Sequence, residues 1–328
     1  MKKVLIANRG EIAIRIARTC SDLGLKTVGI YSEDDSNSLH LSKVDEAFKI
    51  EGNGAQAYLN IKEIIAVAKK SKVDAIHPGY GFLSENSSFA SAAKRAKIKF
   101  VGPSERTLKI FGDKTSAKEL ALSLGIPVIA GTKQKTTLKQ AEDFLKSLKK
   151  NSSVVIKAIS GGGGRGMRVV SKPDDLKESF DRASSEAKAS FDSPDLYLEE
   201  YLRDYRHIEF QILGDGTGAV SHLHERECSI QRRYQKLIEI APSPSLNVDL
   251  KSRMIEASLA LTQKLKYEGL ATIEFLVNIE KNDFRFIECN PRLQVEHTVT
   301  ESVLSLDLVR AQLQIASGKT LKQFIQGI

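Results

Sequence analysis

The chain has 328 residues, with 49 Lys and Arg against 41 Asp and Glu and a formal charge of +8. At roughly 100–200 residues per domain, this length predicts two or three domains. Hydrophobic residues at 41% and charged residues at 27% exclude a disordered or fibrous chain, and no apolar run reaches the roughly 18 residues of a membrane helix. Cys20, Cys228 and Cys289 have no metal or redox spacing and cannot all pair, which predicts a reducing, cytoplasmic setting. Val4–Ala7 is too short for a signal-peptide core and reads as a first strand. Ile12–Leu23 then has helical spacing up to the stop at Gly24, and Thr27–Tyr31 is the next strand. Ile61–Ser71 and Phe89–Lys97 read as helices, and Val73–His77 and Phe100–Val101 as strands. This alternation predicts an α/β domain: a parallel sheet covered on both faces, with ligand contacts in the loops at strand C-termini.

From about Gly112 the pattern changes. Asp113–Leu124 reads as a helix. Val154–Ala158, Met167–Val170, Leu196–Tyr201, His207–Leu213, Ala219–Glu225, Thr272–Val277 and Phe284–Glu288 read as strands, and Leu250–Lys266 and Ser302–Ala316 as amphipathic helices. Strands that follow one another without an intervening helix predict antiparallel pairing, hence an α+β second part. Lysines crowd 133–150 with only Phe144 interleaved, which reads as a solvated helix face and not as a nucleic-acid surface.

The chemistry is concentrated in a few segments. Positions 161–166 hold five glycines and one arginine between two strands, a turn whose backbone N–H groups can approach phosphate oxygens because no Cβ intervenes. It lacks the Gly-Lys-Ser/Thr ending and following helix of a Walker loop, and no Gly-x-Gly-x-x-Gly follows the first strand, which disfavours a dinucleotide dehydrogenase. Lys157 sits among apolar strand residues, where a charge needs a partner; Lys114 sits at a helix start, a favourable place for an anion. With the glycine turn they suggest a triphosphate clamp. Glu274 and Glu288 are set in apolar strands, with Asn290 on the Glu288 face, a hard-oxygen set suited to Mg²⁺. An alternative is strand-charge pairing with Arg285 or Arg292. The loop Asn290–His297 adds Arg292, a forked donor for a small planar anion, and Glu296, a candidate general base. His77 in His77-Pro-Gly-Tyr-Gly reads equally as a structural histidine or a ligand.

In this order, Ile6-Ala-Asn-Arg-Gly-Glu-Ile-Ala, His77-Pro-Gly-Tyr-Gly-Phe-Leu-Ser-Glu-Asn, Ser160-Gly-Gly-Gly-Gly-Arg-Gly-Met-Arg, Glu225-Arg-Glu-Cys-Ser-Ile-Gln-Arg-Arg and Asn290-Pro-Arg-Leu-Gln-Val-Glu-His resemble the biotin carboxylase component of biotin-dependent carboxylases (acetyl-CoA, acyl-CoA or pyruvate carboxylase), within the ATP-grasp superfamily. The resemblance implies a Rossmann-like pre-ATP-grasp domain over 1–112 and an ATP-grasp domain over 113–328 with a mobile glycine-rich lid at about 130–203. It implies ATP-dependent carboxylation of biotin by bicarbonate through carboxyphosphate. Lys114, Lys157, Gly163 and Gly164 would hold the ATP phosphates. Glu199, Glu200, Tyr201 and Leu202 would form the adenine hinge, with Leu276 beneath the base and His207, Gln231 and Tyr234 near the nucleotide. Glu274, Glu288 and Asn290 would hold two Mg²⁺ or Mn²⁺ ions. Lys236, Arg292, Gln294 and the Val295 backbone would cradle bicarbonate, and Glu296 would deprotonate it.

The implied partners are a biotin carboxyl carrier, since no biotinyl-lysine motif is present, a carboxyltransferase that chooses the acyl acceptor, and a second copy of the chain pairing through the helix with Arg15 and Arg18. No nucleic-acid or membrane partner is expected. Two departures stand out. Tyr234 occupies a position where the family usually has His; its hydroxyl keeps a hydrogen-bonding tip but cannot take up an extra proton at neutral pH. The family also continues into a C-terminal domain with a biotin-site arginine, and the expectation is that this part is absent. Other readings are a different ATP-grasp ligase, of carbamoyl-phosphate or D-alanine type, and a non-catalytic ATP-binding module.

Overall fold

The computed structural model describes residues 1–133, 135–150, 152–159 and 167–325. The glycine run, including Gly163 and Gly164, lies outside the described residues.

The first hundred residues form the expected parallel sheet. Strands β1 (Lys3–Ile6), β2 (Lys26–Tyr31), β3 (Glu46–Lys49), β4 (Ala75–His77) and β5 (Lys99–Phe100) lie in the order β3-β2-β1-β4-β5. Side chains alternate across a strand. Val4 and Ile6 therefore pack with Ile12 and Ile16 of helix Gly10–Asp22 on one face, while Leu5 and Ile76 pack with Ile64 and Phe89 on the other. The edge strand β3 (Glu-Ala-Phe-Lys) has almost no apolar signal and is mostly exposed; its pairing with β2 makes it a strand.

The loops after β1 and β4 are locked together. Asn8 Nδ2 donates to the carbonyls of Pro78 and Tyr80, both at 2.8 Å. Gly79 has φ +66°, and a Cβ there would lie 2.8 Å from Asn8 Nδ2. His77 is wholly buried and its Nδ1 accepts the Gly79 N–H at 3.0 Å; burial lowers its pKa to about 3. This burial and the Nδ1 bond favour the structural reading of His77.

Two antiparallel sheets follow, as the strand pattern predicts. Strands β6 (Ser153–Ala158), β7 (Met167–Val170) and β8 (Leu196–Tyr201) form a sheet in the order β7-β6-β8. Its core contains Ala141 of helix Leu138–Ser147 and Leu176, Ala183 and Ala187 of helix Leu176–Phe191. The second helix is not legible in the sequence because alanines carry much of its periodicity. Lys133, Lys135, Lys139, Lys146, Lys149 and Lys150 are exposed, as a solvated face requires.

Strands β9 (Arg206–Asp215), β10 (Val220–Arg232), β11 (Gln235–Ile240), β12 (Glu268–Asn278) and β13 (Asp283–Asn290) form a second sheet in the order β11-β10-β9-β12-β13. One face is apolar: Ile208, Phe210, Ile273 and Phe275 pack on Leu250 and Met254 of helix Val248–Lys264. The opposite face carries the polar residues of alternate positions. Leu213, Leu223, Leu270 and Leu293 join the core formed by β1 and helix Gly10–Asp22, so the parallel sheet and this sheet share apolar packing.

One expected element is corrected. Ser302–Ala316 is not a single helix but two, His297–Leu304 and Leu308–Ala316, separated by Ser305 at φ +52°. Asp307 starts the second by accepting the Arg310 N–H at 2.7 Å, the usual work of an Asp N-cap. Arg15 bonds Glu301 at 2.8 Å and Asp307 at 2.9 Å, on either side of the break, so it is engaged within the chain.

Gly79→Ala is expected to destabilise the fold by about 1–3 kcal/mol, because the new Cβ meets both a left-handed backbone and the Asn8 amide. The midpoint of urea unfolding measures this; an unchanged midpoint would remove the claim that this loop is tightly locked.

Candidate active site

The polar face of the second sheet is built by period-two alternation. On β9, His207, Glu209 and Gln211 alternate with Ile208, Phe210 and Ile212. On β12, Thr272, Glu274 and Leu276 lie opposite Gln211, Glu209 and His207 respectively. On β13, Glu288 faces Glu274 and Asn290 faces Thr272. Residues up to 83 positions apart in sequence thus meet on one surface (290 − 207).

The centre of this surface is the Lys236 ammonium on β11. It bonds Glu209, lies 3.2 Å from Glu274 Oε1 and 2.7 Å from Glu296 Oε1. Burial opposes its charge, but the carboxylates of Glu274, Glu209 and Glu296 raise its pKa far above the usual lysine value. Burial likewise opposes ionisation of Glu296, yet Lys236 holds that carboxyl below its ordinary range. Glu274 also accepts from Asn290 Nδ2 at 2.6 Å and lies 2.6 Å from His207 Nε2. Against the cost of burial, His207 and Lys236 keep Glu274 ionised. His207 is aligned from behind by Gln231 Nε2, 2.8 Å from Nδ1.

Glu288 behaves oppositely: burial and the facing Glu274 charge raise its pKa. Two carboxyls facing each other on paired strands are a hard-oxygen pair, and their mutual repulsion is what a divalent cation would relieve; Asn290 turns its Nδ2 to Glu274 and its Oδ1 to Arg292. The residues present therefore fit Mg²⁺. Among the described residues, His207, Glu209 and Glu274, and likewise Glu209, Cys228 and Glu296, also bring ligating atoms within 4.8 Å of one another. Lys236 already bonds the carboxylates of both groups.

The pairing of Glu274 and Glu288 with Arg285 or Arg292 does not occur: Arg285 bonds Asp283, and Arg292 bonds Glu85. Arg292 also donates to Gln294 Oε1 at 2.9 Å and Asn290 Oδ1 at 3.1 Å. The Val295 side chain is 63% exposed, on the open side of the loop.

The candidate phosphate lysines lie on the same side. Lys114 Nζ is 3.7 Å from Glu288. Lys157 finds the partner its strand position demands in Glu199, which also bonds Lys118. Glu199 is buried, and against that burial the two ammonium groups lower its pKa to about 2. The Glu199 side chain thus faces the lysines, while Glu200, Tyr201 and Leu202 are partly exposed. Tyr234 is 46% exposed in a tight turn, with φ +64°.

Sequence reasoning misses Glu209, Lys118 and Glu85. Glu209 has a readable signal, a polar residue at every second position of an otherwise apolar strand. Lys118 has none, being one lysine among many on helix Lys114–Ser123.

The biotin carboxylase N-terminal domain model matches residues 1–108, and the model for the ATP-binding domain of the carbamoyl-phosphate synthase L chain matches 113–324. A biotin carboxylase structure from Campylobacter jejuni, a complex described as β,γ-ATP, superposes with a TM-score of 0.92 at 42% identity, covering 98% of this chain and 72% of that one. The chain belongs to the biotin carboxylase family. The biotin carboxylase domain dimer of Hydrogenobacter thermophilus 2-oxoglutarate carboxylase, with MgADP and bicarbonate, gives a TM-score of 0.92 at 42% identity, covering 98% of this chain and 70% of that one. Pyruvate carboxylase of Bacillus subtilis is 49% identical over 325 residues, 98% of this chain. Mitochondrial pyruvate carboxylase of Homo sapiens is also 49% identical over 325 residues, 98% of this chain. The chain spans 28% and 27% of those two proteins. The fold is thus the expected parallel-sheet domain followed by an ATP-grasp fold.

Because the Glu199 carboxyl has a folded pKa near 2 against 4.5 unfolded, its stabilisation is complete above pH 4.5 and disappears as pH falls toward 2. Glu199→Gln should flatten this acid-side loss by about 3 kcal/mol, read from thermal unfolding at pH 2.5 to 7. Parallel stability curves for the two proteins would show that the buried triad carries no such linkage.

Proposed function

We propose that this chain carries out the biotin carboxylase half-reaction. A bicarbonate oxygen attacks the γ-phosphorus of ATP and ADP leaves. The resulting carboxyphosphate yields CO₂ and phosphate, and biotin N1′ takes up the CO₂ after giving its proton to that phosphate. The observation that carries this reading is the grouping of Lys236, Glu296 and Arg292 beside the facing pair Glu274 and Glu288. It sets an ammonium, a carboxylate base and a forked guanidinium next to an oxygen-rich cation site.

Bicarbonate is a weak nucleophile. Lys236 and Arg292, with Gln294 and the Val295 backbone, would hold it, and Glu296, ionised at neutral pH, would take its proton. Glu274, Glu288 and Asn290 would hold Mg²⁺, or Mn²⁺ in its place, and the bound cation would neutralise charge on the phosphates. Lys114 and Lys157 would share that task, with Gly163 and Gly164 in the covering loop and the segment from about 130 to 203 as the lid. The nucleotide base would lie by 199–202 and Leu276, with His207, Gln231 and Tyr234 nearby. Domain limits at 112/113 accord with this division of labour.

The bound ligands named for the two solved relatives, an ATP species in one and MgADP with bicarbonate in the other, support this assignment. So does the dimer named for the second, which favours a homodimer here. For the whole protein we propose a biotin carrier and a carboxyltransferase as partners. The pyruvate carboxylase relatives shift the acceptor away from acetyl-CoA and fatty-acid synthesis and toward a 2-oxo acid such as pyruvate.

The test is ADP release with Mg·ATP and bicarbonate, with and without free biotin. Bicarbonate-driven release that biotin raises is the expected result. ATP binding with no effect of either ligand would leave a binding module, and ammonia dependence would point to a carbamoyl-phosphate type. Lys114→Ala and Lys157→Ala should each weaken Mg·ATP binding by about 1.5–3 kcal/mol, measured by calorimetry. Glu296→Gln should keep that affinity and lose bicarbonate-dependent release; full turnover in this variant rules out Glu296 as the base.

A further inference from the structure

Arg226, on β10, is the largest wholly buried side chain among the described residues. Withdrawing a guanidinium from water is costly unless its donors are all used, and here they reach four acceptors. Nε donates to Glu209 Oε1 at 2.6 Å, and Nη2 lies 2.6 Å from the same oxygen. Nη1 donates to Gln211 Oε1 at 2.9 Å and Thr300 Oγ1 at 2.8 Å, and Nη2 to Thr272 Oγ1 at 3.2 Å.

The placement of these acceptors is informative. With Oε1 of Glu209 clamped by Arg226, the other oxygen, Oε2, is the one that bonds Lys236. Thr300 belongs to helix His297–Leu304, whose N-cap residue is Glu296. A single rigid fork therefore ties down Glu209 and the first turn of the helix that Glu296 begins, and these two carboxylates flank the Lys236 ammonium.

We propose that Arg226 is a positioning residue: it fixes the separation of Glu209 and Glu296 and thereby holds Lys236 where bicarbonate is bound. Arg226 touches none of the candidate nucleotide lysines, so its influence falls on the bicarbonate side. The inference rests on the reading of Lys236 and Glu296 given under the proposed function.

Arg226→Lys keeps the charge but loses the fork, and Thr300→Val cuts only the tie to the Glu296 helix. In the full-length protein, Arg226→Lys should lower kcat for bicarbonate-dependent ADP release about 10–100-fold with KM for Mg·ATP within about twofold, and Thr300→Val should lower it about 3–10-fold. If the effect runs through Glu209, Arg226→Lys should add less than about twofold in a Glu209→Gln background. Crystal structures of both single variants should show Lys236 Nζ beyond about 3.5 Å from Glu209 or Glu296. The inference is overturned if the full factor appears in both backgrounds, or if Lys236 keeps both contacts in both variants. Should Arg226→Lys fail to fold, Thr300→Val alone decides by the same structural criterion. Absence of bicarbonate-dependent release in the unmodified protein defeats the functional reading instead, and the crystal structures still decide the role of Arg226.

Discussion

Three carboxylates, from Glu209, Glu274 and Glu296, surround the Lys236 ammonium in a place largely withdrawn from water. Burial alone would drive the proton off such a lysine; the carboxylates reverse that tendency and, in turn, Glu274 and Glu296 remain ionised because the ammonium is there. The protonation states of Lys236, Glu274 and Glu296 therefore depend on one another. For the proposed reaction this matters at Glu296. A carboxylate held this low is a weak base while Lys236 faces it alone. An anion that draws the ammonium toward itself would remove part of what holds Glu296 down, and the carboxylate would become more basic as the proposed bicarbonate arrives. On the proposed reading, substrate entry and activation of the base would be one electrostatic event.

The same logic operates among the candidate phosphate lysines, with one difference. Glu199 has two ammonium partners, Lys118 and Lys157. If phosphates take up Lys157, Glu199 still keeps Lys118 and is not left as an unpaired buried charge, a state that would cost several kcal/mol. A single pair could not release its lysine so cheaply. Glu288 is the complementary case, a carboxyl whose ionisation is opposed by burial and by Glu274. A cation bound there would offset that opposition.

Much of this could be read from the chain. The period-two strands, the embedded acids Glu274 and Glu288 and the strand lysine Lys157 each announce a buried charge, because a polar residue among β-branched neighbours must be compensated. What compensates it is not local. Glu199 lies 42 positions from Lys157, and nothing in Leu-Tyr-Leu-Glu-Glu-Tyr distinguishes its first glutamate from its second. Helix Leu176–Phe191 escapes for a different reason: alanine contributes little hydrophobic contrast, so its buried stripe fades into the polar background. The break at Ser305 is a backbone event fixed by Asp307 and by Arg15, a residue 292 positions from Asp307, and helical spacing runs straight through it.

The parallel sheet has its own part in this chemistry, through one ion pair. Glu85 follows the loop that β4 feeds, and it bonds Arg292, the guanidinium beside Asn290 and Gln294. That loop is held by Asn8, at the end of β1, and by the conformations available to Gly79. The two central strands of the first sheet therefore converge, at their C-terminal ends, on a carboxylate that orients an arginine belonging to the second. An arginine fork is useful for a planar anion only when its plane is fixed. Glu85 on one side, with Asn290 and Gln294 on the other, supplies that constraint. Because the anchor and the fork come from different sheets, the shared core of Val4, Ile6, Leu270 and Leu293 controls their alignment, and packing far from the reacting atoms becomes part of the geometry of the site.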